Sequence, residues 1–522
     1  MDGVPANSLD HLKPRVLVFI VAYNAEKTIS SVVRRIPAEL SSLYRVEVLI
    51  IDDASQDATF SRSLGVKKEE DTAFPIHVLF NPVNQGYGGN QKLGFQYAIE
   101  NSFDFVALVH GDGQYAPECL PMLMEPLRTG EANAVFGSRM LTRMGALRGG
   151  MPAYKFIGNK ILTWIENRLL RANLSEFHSG YRIYSVQALQ AIPFDRNSNG
   201  FPFDTEIIIQ LLIARQPIKE LPIPTYYGDE ICHVNGLKYA WDVVIAALKA
   251  RLQELSLFYD RRFDCAPPET SSPYRLKLGY ASPHTLALER VRPGSRVLDL
   301  GCAGGYMGAV LKDQKQCFVS AVDINEISIR GLDEFQIHDL NIGVPHIPAD
   351  GYDVVLMLDV IEHLNRPETF LEQLRQQLAR STSTELLIST GNVACFITRL
   401  MLMLGQFNYG KRGILDVTHT RLFTFASLRR ALEQAGFTVL ETKGVPGPFP
   451  LAIGDNFLSR TLLAVNQFLI RISRGLFSYQ IFMRVKPQPL LKSLLQLSQE
   501  QSSIRAAILE SAGTDASAPN RR

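Results

Sequence analysis

The segment Phe105–Val109 is an apolar run that stops abruptly at His110-Gly111-Asp112-Gly113-Gln114. Asp and Gln carry oxygen donors of the kind hard divalent cations take, and the glycines let a ligand approach the backbone. The same residues also suit a plain turn out of a strand. Three earlier runs end comparably. Val16–Val21 gives way to Ala22-Tyr23-Asn24-Ala25-Glu26, and Val46–Ile51 to Asp52-Asp53-Ala54-Ser55-Gln56-Asp57. Ile76–Phe80 leads to Asn84-Gln85-Gly86-Tyr87-Gly88-Gly89-Asn90. Asp52 or Asp53 can accept from a base or a ribose hydroxyl, the loop around Gly88 can approach a nucleotide or sugar, and Asp112 can hold a metal that neutralises a diphosphate.

A second set lies in the other half. Ser295–Leu300 passes through Asp299 into Gly301-Cys302-Ala303-Gly304-Gly305, and Val319–Val322 ends in Asp323. Tyr352–Leu358 ends in Asp359-Val360-Ile361-Glu362-His363-Leu364. A strand, a tight glycine loop, a helix and then an acid about twenty residues on is nucleoside-binding logic, with the acid on the ribose.

The elements that must position these clusters follow from periodicity. Apolar runs alternate with helical patterns in both halves, which predicts an α/β chain with two mostly parallel sheets covered by helices. Between the halves, Asp260–Tyr274 changes to charges, prolines and serines, as a linker does. The expected organisation is an extension at 1–14, a first domain at 15–259, a linker at 260–274, a second domain at 275–487 and a tail at 488–522 that ends disordered. At 522 residues and 46% hydrophobic content the chain is long enough for two cores. Its net charge of +2 excludes a polyelectrolyte partner such as nucleic acid. Six cysteines without CxxC spacing speak against a disulfide framework or zinc site and for a reducing, cytoplasmic setting. No signal core or spanning run is evident. Tyr154–Arg171 places Phe156, Ile157, Ile161, Trp164, Ile165 and Leu169 at helical spacing among basic residues; such a helix packs on a sheet or lies on a membrane surface. Leu237–Phe258 has a similar stripe.

The ordered motifs AYNAE, DDASQD, NQGYGGN and HGDGQ resemble family 2 glycosyltransferases. The segments Phe136-Gly137-Ser138-Arg139, Ser179-Gly180-Tyr181-Arg182 and Phe203-Asp204-Thr205-Glu206 resemble its polyprenyl-phosphate sugar synthase branch. The resemblance spans about residues 15 to 240. It implies a GT-A fold, a nucleoside-diphosphate sugar donor, inversion at the anomeric carbon, and Mg²⁺ or Mn²⁺. It places Tyr23 and Glu26 near the nucleotide, Asp53 near base or ribose, Asp112 with Gln114 on the metal, and Arg139 on the phosphates. Two departures stand out. His110 replaces an acid, leaving it as a metal ligand or a plain loop residue. An acidic turn at Tyr227–His233 replaces a basic one, which would repel a phosphate acceptor and leaves His233 as a further metal candidate. For an alcohol acceptor a base is needed, and Asp204 and Glu206 are the candidates, although both also suit the first turn of a helix.

The second set is similar to class I S-adenosylmethionine-dependent methyltransferases, which have a Rossmann-like fold, over about residues 275 to 486. The resemblance assigns Asp299, Gly301, Gly304, Gly305, Asp323 and Asp359 to the cofactor and Asp339 to its adenine. Ala303 stands where glycine is common. Glu362 or His363 is the candidate base, with His419 in His419-Thr420-Arg421-Leu422-Phe423-Thr424 a third; Glu362 and His363 also suit a purely pocket-shaping role. Asp455–Ser473 reads as an amphipathic lid or interface helix.

The expected function is therefore a bifunctional transferase. It would move a sugar from a nucleotide sugar to a glycan or glycolipid and a methyl group to an oxygen of the same or a related glycan, with membrane contact left open. Cell-envelope polysaccharide synthesis fits by analogy. Two alternatives stand beside it. The first is an active methyltransferase with a non-catalytic nucleotide-sugar or glycan-binding module; the second is a dinucleotide-dependent oxidoreductase in the second half.

Overall fold

The computed structural model describes residues 13–69, 73–142, 145–225, 235–255, 258–265, 276–326, 332–348, 351–379, 384–495, 498–499 and 501–505. The acidic turn with His233 and the end of the tail, 506–522, lie outside these residues. The chain divides into two compact units, Met1–Thr270 and Ser271–Arg522.

The first unit holds β1 (Arg15–Ala22), β2 (Arg45–Asp52), β3 (Ile76–Phe80), β4 (Phe105–His110), β5 (Ala134–Ser138), β6 (Arg182–Ser185) and β7 (Ile218–Pro222). They form one sheet in the order β3-β2-β1-β4-β6-β5-β7. β6 runs antiparallel to β4 and β5; the other pairs are parallel. The apolar runs are unbroken because both faces are covered. Val16, Val18 and Ile20 enter one core, while Leu17 and Phe19 enter another on the opposite face. In-register pairing brings Ala22 beside Asp52, Asp52 beside Phe80, and Val21 beside His110. The four motif-bearing ends therefore line one edge.

The second unit holds β8 (Arg296–Leu300), β9 (Phe318–Asp323), β10 (Glu334–Ile337), β11 (Val354–Leu358), β12 (Glu385–Gly391), β13 (Phe437–Val445) and β14 (Gln480–Pro487). The order is β10-β9-β8-β11-β12-β14-β13, with β14 antiparallel to both neighbours.

Two sequence expectations change here. Part of the segment read as linker is not free chain: Phe263 and Cys265 are buried in cores of the first unit, and Arg262 pairs with buried Glu206. The Tyr154–Arg171 stripe, offered either as packing on a sheet or as lying on a membrane surface, is divided: Phe156 and Leu169 pack against cores of the first unit, while its other side is open. In the helix Ala153–Leu170 the buried residues are Thr163 and Glu166, while Tyr154, Ile157, Ile161 and Trp164 are exposed. The polar residues face inward because they join a buried network described below.

Candidate functional site

In the first unit, Asp112 is exposed just beyond β4, and its carboxylate accepts from the Gln114 backbone N–H at 3.0 Å. His110, the last residue of β4, is set among aromatic rings. Its ring lies edge-on to Tyr115 and Tyr87, with Nε2 3.3 Å from the Tyr87 hydroxyl. A side chain at Gly180 would meet that ring at 2.6 Å, so Gly180 is what lets His110 fit. Burial lowers the His110 pKa, opposed by Asp112 and Asp204, and so favours the neutral imidazole.

Behind His110 sits a buried polar cluster. The Tyr87 hydroxyl donates to Asp204 at 2.9 Å, and Gln91 donates to the same carboxylate at 3.2 Å. Arg182 is 3.6 Å from it and donates to the Asp204 carbonyl, the Ser179 carbonyl and the Phe177 carbonyl. Burial works against charge on Arg182, yet Asp204 holds its pKa above the ordinary value. Tyr87 is pushed well up by burial and by Asp204. A neighbouring network joins Thr205 to Glu166 and sets His178 3.1 Å from Glu166 and 2.9 Å from the Tyr239 hydroxyl. The angle at the Glu166–His178 contact is poor for a hydrogen bond, so we regard it as proximity within the network.

The other expected residues are mostly committed to the fold. Asp53 accepts from Asn81, Gln85 N–H and Gly86 N–H, and so clamps the glycine loop. Asp52 accepts from Ser55 N–H, while its Oδ2 is buried without a protein partner. Glu26 bonds Ala58 N–H and ties two loops together; Tyr23 is 49% exposed at the same edge. Arg139 lies on buried Glu176 and donates to the His178 carbonyl. Glu206 accepts from Ser198 N–H and pairs with Arg262. Gly88 lies on the loop of residues 198–200. A Cβ there would sit 2.6 Å from the Ser198 carbonyl oxygen and 2.6 Å from the Phe203 Cβ. The Gly88→Ala chain should lose about 1–3 kcal/mol of stability in urea denaturation, and an unchanged midpoint would remove the close-contact argument.

In the second unit the expected cofactor residues converge. Asp323 accepts from Ala303 N–H at 2.8 Å and from Asn325 N–H at 3.0 Å. Asp339 follows β10, whose Ile337 pairs with Asp323. Asp359 accepts from Ser389 and from Gln480, each at 2.7 Å. Asp299 and Glu362 are buried, and each has one carboxylate oxygen without a hydrogen-bond partner among the described residues. Burial, then Asp323, raises the Asp299 pKa to about 7. Burial, then Asp359, raises Glu362 to about 8. Burial lowers nearby His284 to about 4. Gly301 and Gly305 have φ of +70° and +64°, and Ala303 has +49°. That last value is the left-handed region where a Cβ costs about 1–2 kcal/mol, which is why glycine is common there.

His363 and His419 stand edge-on, 4.8 Å apart. Their Nδ1 atoms lie 3.2 Å from the Thr418 carbonyl and 2.9 Å from the Ile414 carbonyl. Carbonyls only accept, so both Nδ1 atoms carry hydrogen, and the neutral His363 ring keeps an Nε2 lone pair. Burial, then His419, lowers the His363 pKa.

Sequence reasoning passed over Tyr87, Gln91, Arg182, His284 and Gln480 as site residues. Tyr87 sits between two motif glycines and Arg182 closes a quoted motif, so both carried a signal. Gln480 carried none.

Comparison with known proteins gives the following. A glycosyl transferase family 2 model matches residues 17–192, and a methyltransferase domain model matches residues 274–442. An undecaprenyl-phosphate mannosyltransferase of Micrococcus luteus is 30% identical over 214 residues, covering 40% of this chain and 82% of that protein. A polyprenol monophosphomannose synthase of Mycolicibacterium smegmatis is 25% identical over 212 residues, covering 40% of this chain and 76% of that protein. Among solved structures, glucosyl-3-phosphoglycerate synthase of Mycobacterium tuberculosis with uridine diphosphate aligns at 19% identity and a TM-score of 0.35, covering 48% of this chain and 86% of that one.

Proposed function

Because the chain belongs to glycosyl transferase family 2 through its first unit and carries a methyltransferase domain in its second, we propose that it is a bifunctional enzyme. It transfers a sugar from a nucleoside-diphosphate sugar to a lipid-linked acceptor, with inversion. It also methylates an oxygen of the same or a related glycan. The observation that carries this reading is that each unit gathers its ligand-type residues at the carboxyl edge of its own sheet, where open α/β sheets bind ligands.

On the donor side, Asp112 fits a divalent cation that completes its shell from donor phosphates and water, since its carboxylate is exposed. Gln114 assists. Such a cation would neutralise charge developing on the leaving diphosphate. His110, neutral and turned toward Tyr87, forms the wall behind them. Asp52, with one unpartnered oxygen, and exposed Tyr23 serve the nucleoside.

Neither candidate base is at liberty. Glu206 is spent on Arg262 and Ser198, and Asp204 is buried against Tyr87, Gln91 and Arg182. An acceptor that arrives already ionised needs no base, which favours a phosphate, against the expectation drawn from the acidic turn at Tyr227–His233. The undecaprenyl-phosphate and polyprenol relatives agree with that choice. The outward faces of the helices Ala153–Leu170 and Gly236–Glu254 suit a lipid acceptor. Trp164 is 68% and Trp241 67% exposed, beside Tyr154, Ile157 and Leu237, as on helices that rest at a membrane interface. The enzyme thus works peripherally, from the cytoplasmic side.

On the methyl side, S-adenosylmethionine supplies a methyl group on a positively charged sulfur. Asp299 and Glu362, buried and underbonded, fit a cationic ligand. Asp323 and Asp339 serve its nucleoside, and His363, with an Nε2 lone pair, takes the acceptor proton.

The test is to incubate the full chain with a panel of nucleotide sugars, Mn²⁺ or Mg²⁺, polyprenyl phosphate and S-adenosylmethionine, following nucleotide release and methyl incorporation. Methylation with no nucleotide released from any donor would reduce the first unit to a binding module. Dinucleotide binding in place of S-adenosylmethionine would end the methyltransferase reading.

A further inference from the structure

The second unit carries two helices whose apolar sides face solvent. In Phe457–Ile472 the exposed apolar residues are Phe457, Leu458, Leu462, Val465, Phe468 and Ile472. At about 100° per residue they fall within one arc of about 140°. The opposite side faces the domain. Ser459 is buried, Asn466 bonds Gly447 N–H and the Phe477 carbonyl, and Ile470 lies against Gly444 on β13. Arg460 and Arg471 lie together along one margin of the apolar arc. The helix Phe396–Met403 is open over a wider arc: Phe396, Ile397, Leu400, Leu402 and Met403 are exposed, Thr398 is buried, and Arg399 is exposed between Leu402 and Met403. Phe396 stacks on Phe477 at 6.5 Å, which links the two helices through the turn that follows the first.

Both helices leave the same sheet edge. Gly391 at the end of β12 and Val445 at the end of β13 each pair with Gln480. Gln480 in turn donates to Asp359 of the candidate cofactor site. The apolar surface therefore adjoins the edge where methyl transfer is assigned.

Charge identifies the occupant. Residues 394–412 contain Arg399, Lys411 and Arg412 and no acid. Residues 455–477 contain Arg460, Arg471 and Arg474 against one acid, Asp455, which bridges Arg460 at 2.8 Å. An apolar arc with a basic margin is the pattern of helices that lie in an anionic membrane surface. Among the described residues no helix is long and apolar enough to cross a bilayer.

We propose that the helices Phe396–Met403 and Phe457–Ile472 seat the cofactor edge of the second unit on an anionic bilayer, so that the methyl acceptor is taken from the lipid–water interface. The proposal rests on the methyltransferase reading for its purpose but not for its contact.

The experiment uses the full chain with Trp164→Phe, Trp241→Phe and Phe468→Trp, leaving a single indole on the proposed surface. It is mixed with vesicles of phosphatidylcholine and phosphatidylglycerol, with and without brominated acyl chains. A blue shift and quenching by the brominated lipid are expected. Arg460→Gln and Arg471→Gln should each lower partitioning about fivefold. A Met403→Trp reporter in the same background tests the other helix and covers misfolding of the first variant. Emission unmoved by vesicles in a chain whose circular dichroism is native overturns the proposal. So does a lipid-independent blue shift that tracks dimerisation in sedimentation, which would make a second copy the occupant. Calorimetry with S-adenosylmethionine on the same sample separates the two readings. Quenching without cofactor binding upholds the surface and removes the methyltransferase; cofactor binding without quenching does the reverse.

Discussion

The Asp112→Asn chain is expected to release nucleotide from its sugar donor about a thousandfold more slowly than the native chain, while S-adenosylmethionine binding stays unchanged. The factor follows from magnitude. Stabilisation of charge on a leaving diphosphate is worth several kcal/mol, and each 1.36 kcal/mol is about tenfold in rate. Asparagine keeps the shape and one oxygen but loses the charge. Because Asp112 is exposed and bonds only the next-but-one backbone N–H in the described contacts, the substitution should leave the melting temperature nearly unmoved. That separates loss of chemistry from loss of fold. Activity within tenfold of native would show that Asp112 does not anchor the diphosphate, and the site would have to be sought elsewhere on the edge.

The sequence made the sheet edges legible because buried parallel strands are continuous apolar runs and their ends are abrupt. β1, β2, β3 and β4 end where the runs stop, and so do β8, β9 and β11. Strands without such a run were not visible. β6 has four residues and begins with buried Arg182, while β10 and β13 are edge strands with mostly part-exposed residues. Residue types showed which groups are able to bind ligands, but not which are already occupied. Asp53 is taken by a loop about thirty residues away in sequence, and Glu206 by Arg262, a separation of 56. Such pairings depend on tertiary approach and leave no periodic trace. The Ala153–Leu170 helix was left undecided for a related reason. Its apolar stripe suited either a packed or a membrane-facing side, and Thr163 and Glu166 face inward toward the network of Thr205 and His178. Helical spacing identifies a stripe, not the side on which water lies.

The second unit should bind S-adenosylmethionine about a hundredfold more tightly at about pH 8 than at about pH 6, with protons released on binding. Asp299 at about 7 and Glu362 at about 8 hold protons in the unliganded fold that ordinary carboxylates lose near about pH 4. The unliganded fold therefore binds more protons than the unfolded chain between about pH 4 and pH 8, and its stability falls as pH rises through that window. A cationic ligand reverses the cost by favouring the ionised carboxylates, so its affinity climbs where the bare fold weakens. S-adenosylhomocysteine has the same amino group and nucleoside but no positive sulfur, so its affinity should rise far less. Glu362→Gln should flatten most of the slope, since Glu362 has the higher pKa, and Asp299→Asn a smaller part. Titration calorimetry in buffers of different ionisation enthalpy reads the released protons directly. Equal slopes for the two ligands would mean that the buried carboxylates answer to the amino group or to the fold alone. Their lack of partners would then say nothing about the sulfonium.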